Sequence, residues 1–316
     1  MSDLMPIGGS TLDYLYVLAG LIGLFLGGDA LVRGSVGIAR RLAIPPLVIG
    51  LTVVGFGTST PELLVSVNAA LDGVPDIALG NVVGSNIANV LLIVGLTTLI
   101  WPIAVSGQSL RRDTGVMMLA SLAMVPVFAM GDIGRLTGSL LVLALLAYLT
   151  AAVLAPTADA GEPEPSPPPS TLRSLVWVGV GLIALVFGAR FLVDGSVSIA
   201  RGFGVSEAFI GLTIVAIGTS LPELATSVVA ALRKQSEIAI GNILGSNIFN
   251  LLGILGLTAV VTPIPVAPRF LTLDLPVMIA VSLVLTGLLL TRPVIGRLVG
   301  LGFLGVYAVY IWAAQV

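Results

Sequence analysis

Two glutamates occupy equivalent positions in long apolar segments of the chain. Glu62 lies in GLTVVGFGTSTPEL at residues 50–63, and Glu223 lies in GLTIVAIGTSLPEL at residues 211–224. An ionised side chain at the centre of a bilayer costs about 2.5 to 3.5 kcal/mol on insertion scales, so a favourable partner must offset that cost. Two carboxylates in apolar surroundings therefore predict an intramembrane cation site.

Each glutamate directly follows a proline and a Gly-Thr-Ser run. Pro61 and Pro222 lack a backbone N–H and clash with the carbonyl four residues earlier, so each proline should break its helix. Irregular backbone at membrane depth is tolerated where it lines a cavity or is buried in protein. We therefore expect free carbonyl oxygens near Thr58 and Thr219, beside the acids.

A second duplicated block supplies further oxygen atoms. It reads GNVVGSNIAN at residues 80–89 and GNILGSNIFN at residues 241–250, with the same offset of 161 residues as the glutamates. Polar side chains recur every four residues and form one helical stripe per copy, comprising Asn81, Ser85 and Asn89, then Asn242, Ser246 and Asn250. Packing between helices is the alternative role for these asparagines. The glycine pairs Gly80 and Gly84, and Gly241 and Gly245, are spaced for close helix approach.

These groups suffice for a calcium site. Two carboxylates, backbone carbonyls and the side-chain oxygens of Asn89 and Asn250 reach the six to eight hard oxygens that calcium prefers. Hydroxyls and carbonyls near four serines could form smaller sodium pockets; these are Ser59, Ser85, Ser220 and Ser246. Because both ions would share the two acids, binding of one ion should weaken binding of the other.

The composition indicates an integral membrane protein. Hydrophobic residues make up 57% of the 316 residues and charged residues 9%, against about 25% charged in soluble domains. Cysteine and histidine are both absent, so any ion site must use oxygen ligands. The net charge of −2 gives no indication of nucleic-acid binding. We expect the protein to be surrounded by the lipid bilayer.

We predict an all-α protein of about ten transmembrane helices, five in each half, with helices 2 and 7 broken at the GTSxPE motifs. An odd number of crossings per copy places the two copies in opposite orientations, as inverted repeats. The predicted domains are residues 1–155, a proline-rich linker at 156–173 that acts as a tether, and residues 174–316. The spans are 14–37, 45–71, 77–100, 115–131, 135–155, 174–198, 206–232, 238–261, 271–290 and 294–314.

The distribution of basic residues predicts the orientation in the cell membrane. With both termini outside, the linker is cytoplasmic and most basic residues face the cytoplasm, as the positive-inside rule requires. That set is Arg33, Arg40, Arg41, Arg111, Arg112, Arg173, Arg233, Lys234, Arg292 and Arg297, leaving Arg135, Arg190, Arg201 and Arg269 outside.

Two charge pairs near span ends have swapped signs. Asp29 precedes Arg33 by four residues, and Arg190 precedes Asp194 by four residues. We interpret both as structural ion pairs within a helix, with a gating role as the alternative. Glycines in the same spans, at positions 27, 28 and 188, favour either helix packing or sliding of spans one and six.

The paired blocks GTSTPELLVS with GNVVGSNIANVLLIVG, and GTSLPELATS with GNILGSNIFNLLGILG, closely resemble the two α-repeats of sodium/calcium exchangers of the prokaryotic type, in the cation/calcium antiporter superfamily. The resemblance implies two inverted five-helix halves and three sodium ions exchanged for one calcium ion. It implies calcium ligands at Glu62, Glu223, Thr58 and Thr219, sodium sites at Ser85, Ser246, Gly55, Ala216, Ser59 and Ser220, and Asn89 and Asn250 between them.

Three features depart from relatives within this superfamily. Some prokaryotic members resemble this chain but carry an aspartate at the position of Asn250, so two acids rather than three are expected here. The potassium-dependent branch typically has further acidic residues in the second repeat. The proton/calcium branch has an acid soon after Gly-Asn, whereas Asn81 and Asn242 are followed by apolar residues.

The function predicted is a secondary active antiporter that exchanges extracellular sodium for cytoplasmic calcium by alternating access. A proton- or potassium-coupled cation antiporter is the first alternative, and a passive channel lined by the same oxygens is the second. A scaffold or receptor would need large partner-binding loops. No nucleophile and base pair or cofactor motif stands out, so we expect no enzyme, no cofactor and no obligate protein partner.

Overall fold

The computed structural model describes residues 9–104, 107–154, 170–205, 210, 214 and 216–314. Most of the predicted linker lies outside these residues, as does part of the span predicted at 206–232. The first half contains α1 (Thr11–Leu42), α2 (Pro46–Thr58), α3 (Thr60–Leu71), α4 (Pro75–Ile100), α5 (Gln108–Ala129) and α6 (Arg135–Leu154). The second contains α7 (Thr171–Gly202), α8 (Ala216–Gly218), α9 (Leu221–Leu232), α10 (Ser236–Val261), α11 (Phe270–Thr291) and α12 (Arg297–Ala314).

The described residues contain seven helices that are long and apolar enough to cross a membrane: α1, α4, α5, α6, α7, α10 and α11. The bent pair α2 and α3 makes an eighth crossing if it is one span. Helices α9 and α12 are apolar but shorter. The chain is therefore a helical membrane protein, whereas the count of ten spans stays a prediction.

Burial separates central helices from peripheral ones. In α10, 89% of the most apolar window is buried, whereas the corresponding share is 28% in both α6 and α7. Large apolar side chains on the peripheral helices stay exposed, among them Leu143 and Ile183. Such an apolar exterior suits lipid rather than water. Helix α10 therefore lies at the centre of the molecule.

Helices α1 and α7 pack against each other in antiparallel directions along their full length. Glycines recur every seven residues on each helix, at 20, 27 and 34 and at 181, 188 and 195. A Cβ atom added at Gly20 would lie 2.5 Å from the Leu192 backbone nitrogen, and one added at Gly188 would lie 2.7 Å from the Leu24 nitrogen. Only glycine permits this backbone contact, so α1 and α7 form one closely packed pair.

Two short antiparallel ribbons connect the halves. Strand β1 (Ile103–Ala104) pairs with β4 (Val294–Ile295), and β2 (Asp132–Ile133) pairs with β3 (Ile264–Pro265). Strand β3 is the 161-residue counterpart of β1, and β4 overlaps the counterpart of β2. Each ribbon therefore pairs one strand with the counterpart of the other, as a two-fold relation between the halves produces.

The structure tests one of the two glycine pairs that were predicted to allow close helix approach. A Cβ atom at Gly241 would lie 2.3 Å from the Leu47 carbonyl oxygen, and one at Gly245 would lie 2.2 Å from the Leu51 carbonyl oxygen, so α2 packs on α10 as expected. For the other pair, the counterparts of Leu47 and Leu51 are Ala208 and Leu212, which lie outside the described residues. Gly80 is exposed, and close helix approach at Gly80 and Gly84 stays a prediction.

Candidate cation site

The helix break next to Glu62 occurs at one residue. Helix α2 ends at Thr58, α3 begins at Thr60, and their axes differ by 44°. Ser59 between them has φ −85° and ψ 8°, and its counterpart Ser220 has nearly the same values, φ −88° and ψ 5°. The same local sequence thus gives the same backbone conformation in both halves.

The breaks leave backbone oxygens beside the acids. Across the breaks, the Leu63 N–H donates to the Ser59 carbonyl and the Leu224 N–H donates to the Ser220 carbonyl. In the described residues, neither the Thr58 carbonyl nor the Thr219 carbonyl accepts a backbone hydrogen bond across its break. These two carbonyls are the ones that the sequence predicts as ligands.

Glu62 and Glu223 each accept a hydrogen bond from a serine of the other half. The Ser59 hydroxyl donates to Glu223 Oε1 at 2.8 Å, and the Ser220 hydroxyl donates to Glu62 Oε1 at 3.3 Å. Both glutamates are only 1% exposed. Each half therefore orients the acid of the other half, and the two carboxylates share one buried site.

Several buried oxygens of the residues that the sequence assigns to the site have no hydrogen-bond partner among the described residues. They are Glu62 Oε2, Glu223 Oε2, Asn89 Oδ1, Asn250 Oδ1 and Thr219 Oγ1. Leaving a buried acceptor unpaired costs about 1 to 3 kcal/mol, and more if it is charged. A cation bound by these oxygens would satisfy all of them. The two carboxylates match the charge of one divalent ion, and the described residues contain no cluster of three or more acidic, histidine or cysteine side chains.

The two central asparagines lie at π-helical turns. Asn89 begins the turn Asn89–Ile93 within α4, and Asn250 lies in the turn Phe249–Ile254 within α10. A π-helical turn adds one residue to a helical turn and often occurs at functional sites. The four-residue spacing that we used in the sequence predicts one regular helix, so these turns were missed.

Asn81 and Asn242 support the glutamate helices rather than pointing free oxygens at the site. Asn81 Nδ2 donates to the Glu62 carbonyl at 3.0 Å and to Ser66 Oγ at 2.9 Å. Asn242 Nδ2 makes the equivalent bonds to the Glu223 carbonyl at 3.2 Å and to Ser227 Oγ at 2.9 Å. Sequence reasoning missed both partner serines, although their 161-residue offset and their position one turn after each glutamate indicate them.

Asn247 is a further residue that the sequence analysis missed. Its side-chain oxygen accepts a hydrogen bond from Asn89 Nδ2 at 3.1 Å, and its own Nδ2 lies 3.6 Å from the sulfur of Met117. Because the amide nitrogen of Asn89 is used here, its oxygen is the atom left for the site. The repeated Ser-Asn pair in both GSN motifs is the signal that could have found it.

Two of the residues predicted to flank the site, Gly55 and Ser246, contact each other near the first break. The Gly55 carbonyl accepts hydrogen bonds from Thr58 Oγ1 at 3.3 Å and Ser246 Oγ at 3.4 Å. Thr58 Oγ1 also donates to Asn242 Oδ1 at 3.2 Å. Ser85 is buried on α4, and Ala216 begins α8, although its side chain lies outside the described part. Their assignment to particular ions stays a prediction.

Comparison with known proteins agrees with these features. The profile of the sodium/calcium exchanger protein family matches the chain twice, at residues 12–154 and 173–315. The putative antiporter CaxA of Alkalimonas amylolytica is 40% identical over 86% of this chain and 88% of its own length. The sodium/calcium exchanger MaX1 of Methanosarcina acetivorans is 34% identical over 87% and 90%. A solved structure of the sodium-calcium exchanger NCX_Mj aligns with a TM-score of 0.84 at 35% identity, covering 96% of this chain and 99% of that one.

The helical fold and the buried oxygen cluster between the two halves define a membrane transporter of cations. The twofold family match and the relatives identify it further. The chain belongs to the sodium/calcium exchanger family, and its class of activity is transmembrane cation/calcium antiport.

Proposed function

We propose that the protein exchanges extracellular sodium for cytoplasmic calcium at the site between Glu62 and Glu223. One observation carries the proposal: each carboxylate has one oxygen held by a serine of the other half and one buried oxygen without a partner. Such a pair of acids favours a divalent cation, which would neutralise both charges.

Sodium would compete for the same acids. The hydroxyl and carbonyl oxygens around Ser59, Ser85, Ser220 and Ser246 would form the flanking sodium pockets, with Gly55 and Ala216 contributing backbone. Because calcium and sodium both draw on Glu62 and Glu223, the site would hold one kind of ion at a time. Because only one kind of ion can occupy the site at a time, movement of calcium in one direction is coupled to movement of sodium in the other.

Alternating access would follow from two inverted five-helix halves. The antiparallel packing of α1 against α7 and the exchange of strands between the halves support this arrangement. In our proposal α1 and α7 move as a pair across a core formed by α2 to α4 and α8 to α10. The site would then open first to one side of the membrane and then to the other, with both termini outside and the linker in the cytoplasm.

The decisive experiment is calcium uptake into proteoliposomes under imposed sodium, potassium or proton gradients, with the membrane potential clamped. We expect an outward sodium gradient to drive calcium accumulation, and potassium or proton gradients of the same size to have no effect. If a proton or potassium gradient alone drives uptake, that ion and not sodium is the coupling ion. Calcium flux that ignores every gradient would indicate a passive channel.

A further inference from the structure

One ion cluster connects the moving pair to the core at one end of the molecule. Asp29 on α1 forms a salt bridge with Arg33 on the same helix at 2.9 Å and a second one with Arg233, directly after the end of α9. The Asp29 side chain is only 14% exposed. A mostly buried carboxylate held by two guanidinium groups is a strong contact.

The same three positions occur in the other half with every charge reversed. At an offset of 161 residues, Asp29 becomes Arg190, Arg33 becomes Asp194 and Arg233 becomes Asp72. Each half therefore carries one set of oppositely charged residues, and each position has the opposite charge to its counterpart. In the structure Arg190 lies 3.8 Å from Asp194 on α7, with side chains 74% and 56% exposed, and Asp72 forms no salt bridge among the described residues.

The surrounding helices differ in the same way. Helix α1 packs on α9, where a Cβ atom at Gly28 would lie 3.3 Å from the Ala225 carbonyl oxygen and from a Val229 methyl carbon. Helix α7 makes no comparable contact with α3 in the described part of the chain. The positions on α3 equivalent to Ala225 and Val229 are Leu64 and Asn68, and both are exposed.

We propose that these charges form two alternating latches. The Asp29–Arg233 latch is closed in this conformation, and the Asp72–Arg190 latch closes when the other side of the transporter closes. This inference rests on the proposed alternating access and adds the residues that hold each closed end. Under the predicted orientation, the closed latch is cytoplasmic and the open one is extracellular.

The partner within each moving helix explains how a latch can open cheaply. When α1 leaves α9, Asp29 keeps its salt bridge with Arg33, so no isolated charge enters the membrane. Asp194 does the same for Arg190 on α7. When a latch opens, the charge beyond the core helix is hydrated by water. The charge on the moving helix keeps its partner four residues away, so neither conformation buries an unpaired charge.

Charge reversal tests the open latch. Asp72→Arg and Arg190→Asp each turn attraction into repulsion, and we expect either change to slow sodium-driven calcium exchange about tenfold. The triple variant Asp72→Arg, Arg190→Asp and Asp194→Arg restores the attraction, keeps an opposite charge four residues away on α7, and should recover most of the rate. Asp132→Arg, an exposed acid on the same predicted side, is the matched control and should leave the rate unchanged.

A labelling measurement separates this inference from the transport function. The natural chain has no cysteine, so Asn68→Cys gives a single thiol on the exposed face of α3. Asp72→Arg should increase its labelling by an impermeant maleimide, and Arg233→Asp, which breaks the closed latch, should decrease it. Unchanged labelling in both variants, or a triple reversal that does not restore exchange, would overturn the latches. Absence of sodium-driven exchange in the natural protein would overturn the proposed function alone.

Discussion

At the scale of single residues, the two buried glutamates set the chemistry. Each has one carboxylate oxygen engaged by a serine and one without a partner, so the pair presents two acidic side chains to one small volume. Removing one charge while keeping the shape of the side chain should be far more damaging than removing a neighbouring hydroxyl. The reason is that a divalent ion needs both charges to offset its loss of hydration.

We predict that Glu62→Gln and Glu223→Gln each lower calcium affinity by at least about 100-fold, whereas Ser59→Ala lowers it about 10-fold by releasing Glu223. Titration calorimetry with calcium on the purified protein measures both effects. The exposed Asp132→Asn serves as control and should bind normally. A Glu62→Gln protein with natural calcium affinity would remove Glu62 from the site.

At the scale of elements, glycines hold α1 and α7 in direct backbone contact. A side chain at Gly188 would collide with the backbone of Leu24 rather than with a flexible side-chain end. The neighbouring Gly179 on the same helix has no described atom within 4 Å of an added Cβ. The two glycines therefore form a matched pair for testing the helix contact.

We predict that Gly188→Val destabilises the protein by about 3 kcal/mol through overpacking, while Gly179→Val has little effect. The two variants are compared by their thermal unfolding in detergent, which is monitored by size-exclusion chromatography. If Gly188→Val melts at the natural temperature, the close contact of α1 with α7 contributes little to stability.

Sequence reasoning anticipated the elements that carry the site and missed details of their shape. The 161-residue offset, the prolines and the apolar context sufficed to predict that Glu62 and Glu223 would meet beside broken helices. The π-helical turns at Asn89 and Asn250 were missed because their extra residue leaves the four-residue polar spacing intact. Helix packing was one of the two roles predicted for Gly27 and Gly188, and both glycines contact the facing backbone. The seven-residue glycine stripe that extends this contact along both helices was not predicted.

At the scale of the whole molecule, the two halves are nearly identical in sequence at the site but differ in their contacts. Among the described residues, α1 packs on α9, whereas α7 makes no comparable contact with α3, whose Leu64 and Asn68 are exposed. A duplicated sequence encodes both arrangements equally, so no pattern in it could predict which half would be covered in one conformation. We infer that the asymmetry reflects one of two exchangeable states.

The exchange of three sodium ions for one calcium ion, which the resemblance implies, would make transport electrogenic. If three sodium ions leave a vesicle for each calcium ion that enters, one positive charge moves outward per cycle, and the voltage contributes about 2.3 kcal/mol per 100 mV. We predict that an inside-positive potential set with valinomycin and potassium accelerates calcium uptake. A rate that is independent of potential would indicate two sodium ions per calcium ion.

The central claim is that calcium and sodium use one set of oxygens in turn. The most direct measurement is calcium binding to the purified protein at a series of sodium concentrations, with choline replacing sodium to keep ionic strength constant. Sodium should raise the apparent calcium Kd without changing the number of calcium sites, and more steeply than in proportion to its concentration. Calcium binding that sodium leaves unchanged would show that the two ions do not share these oxygens.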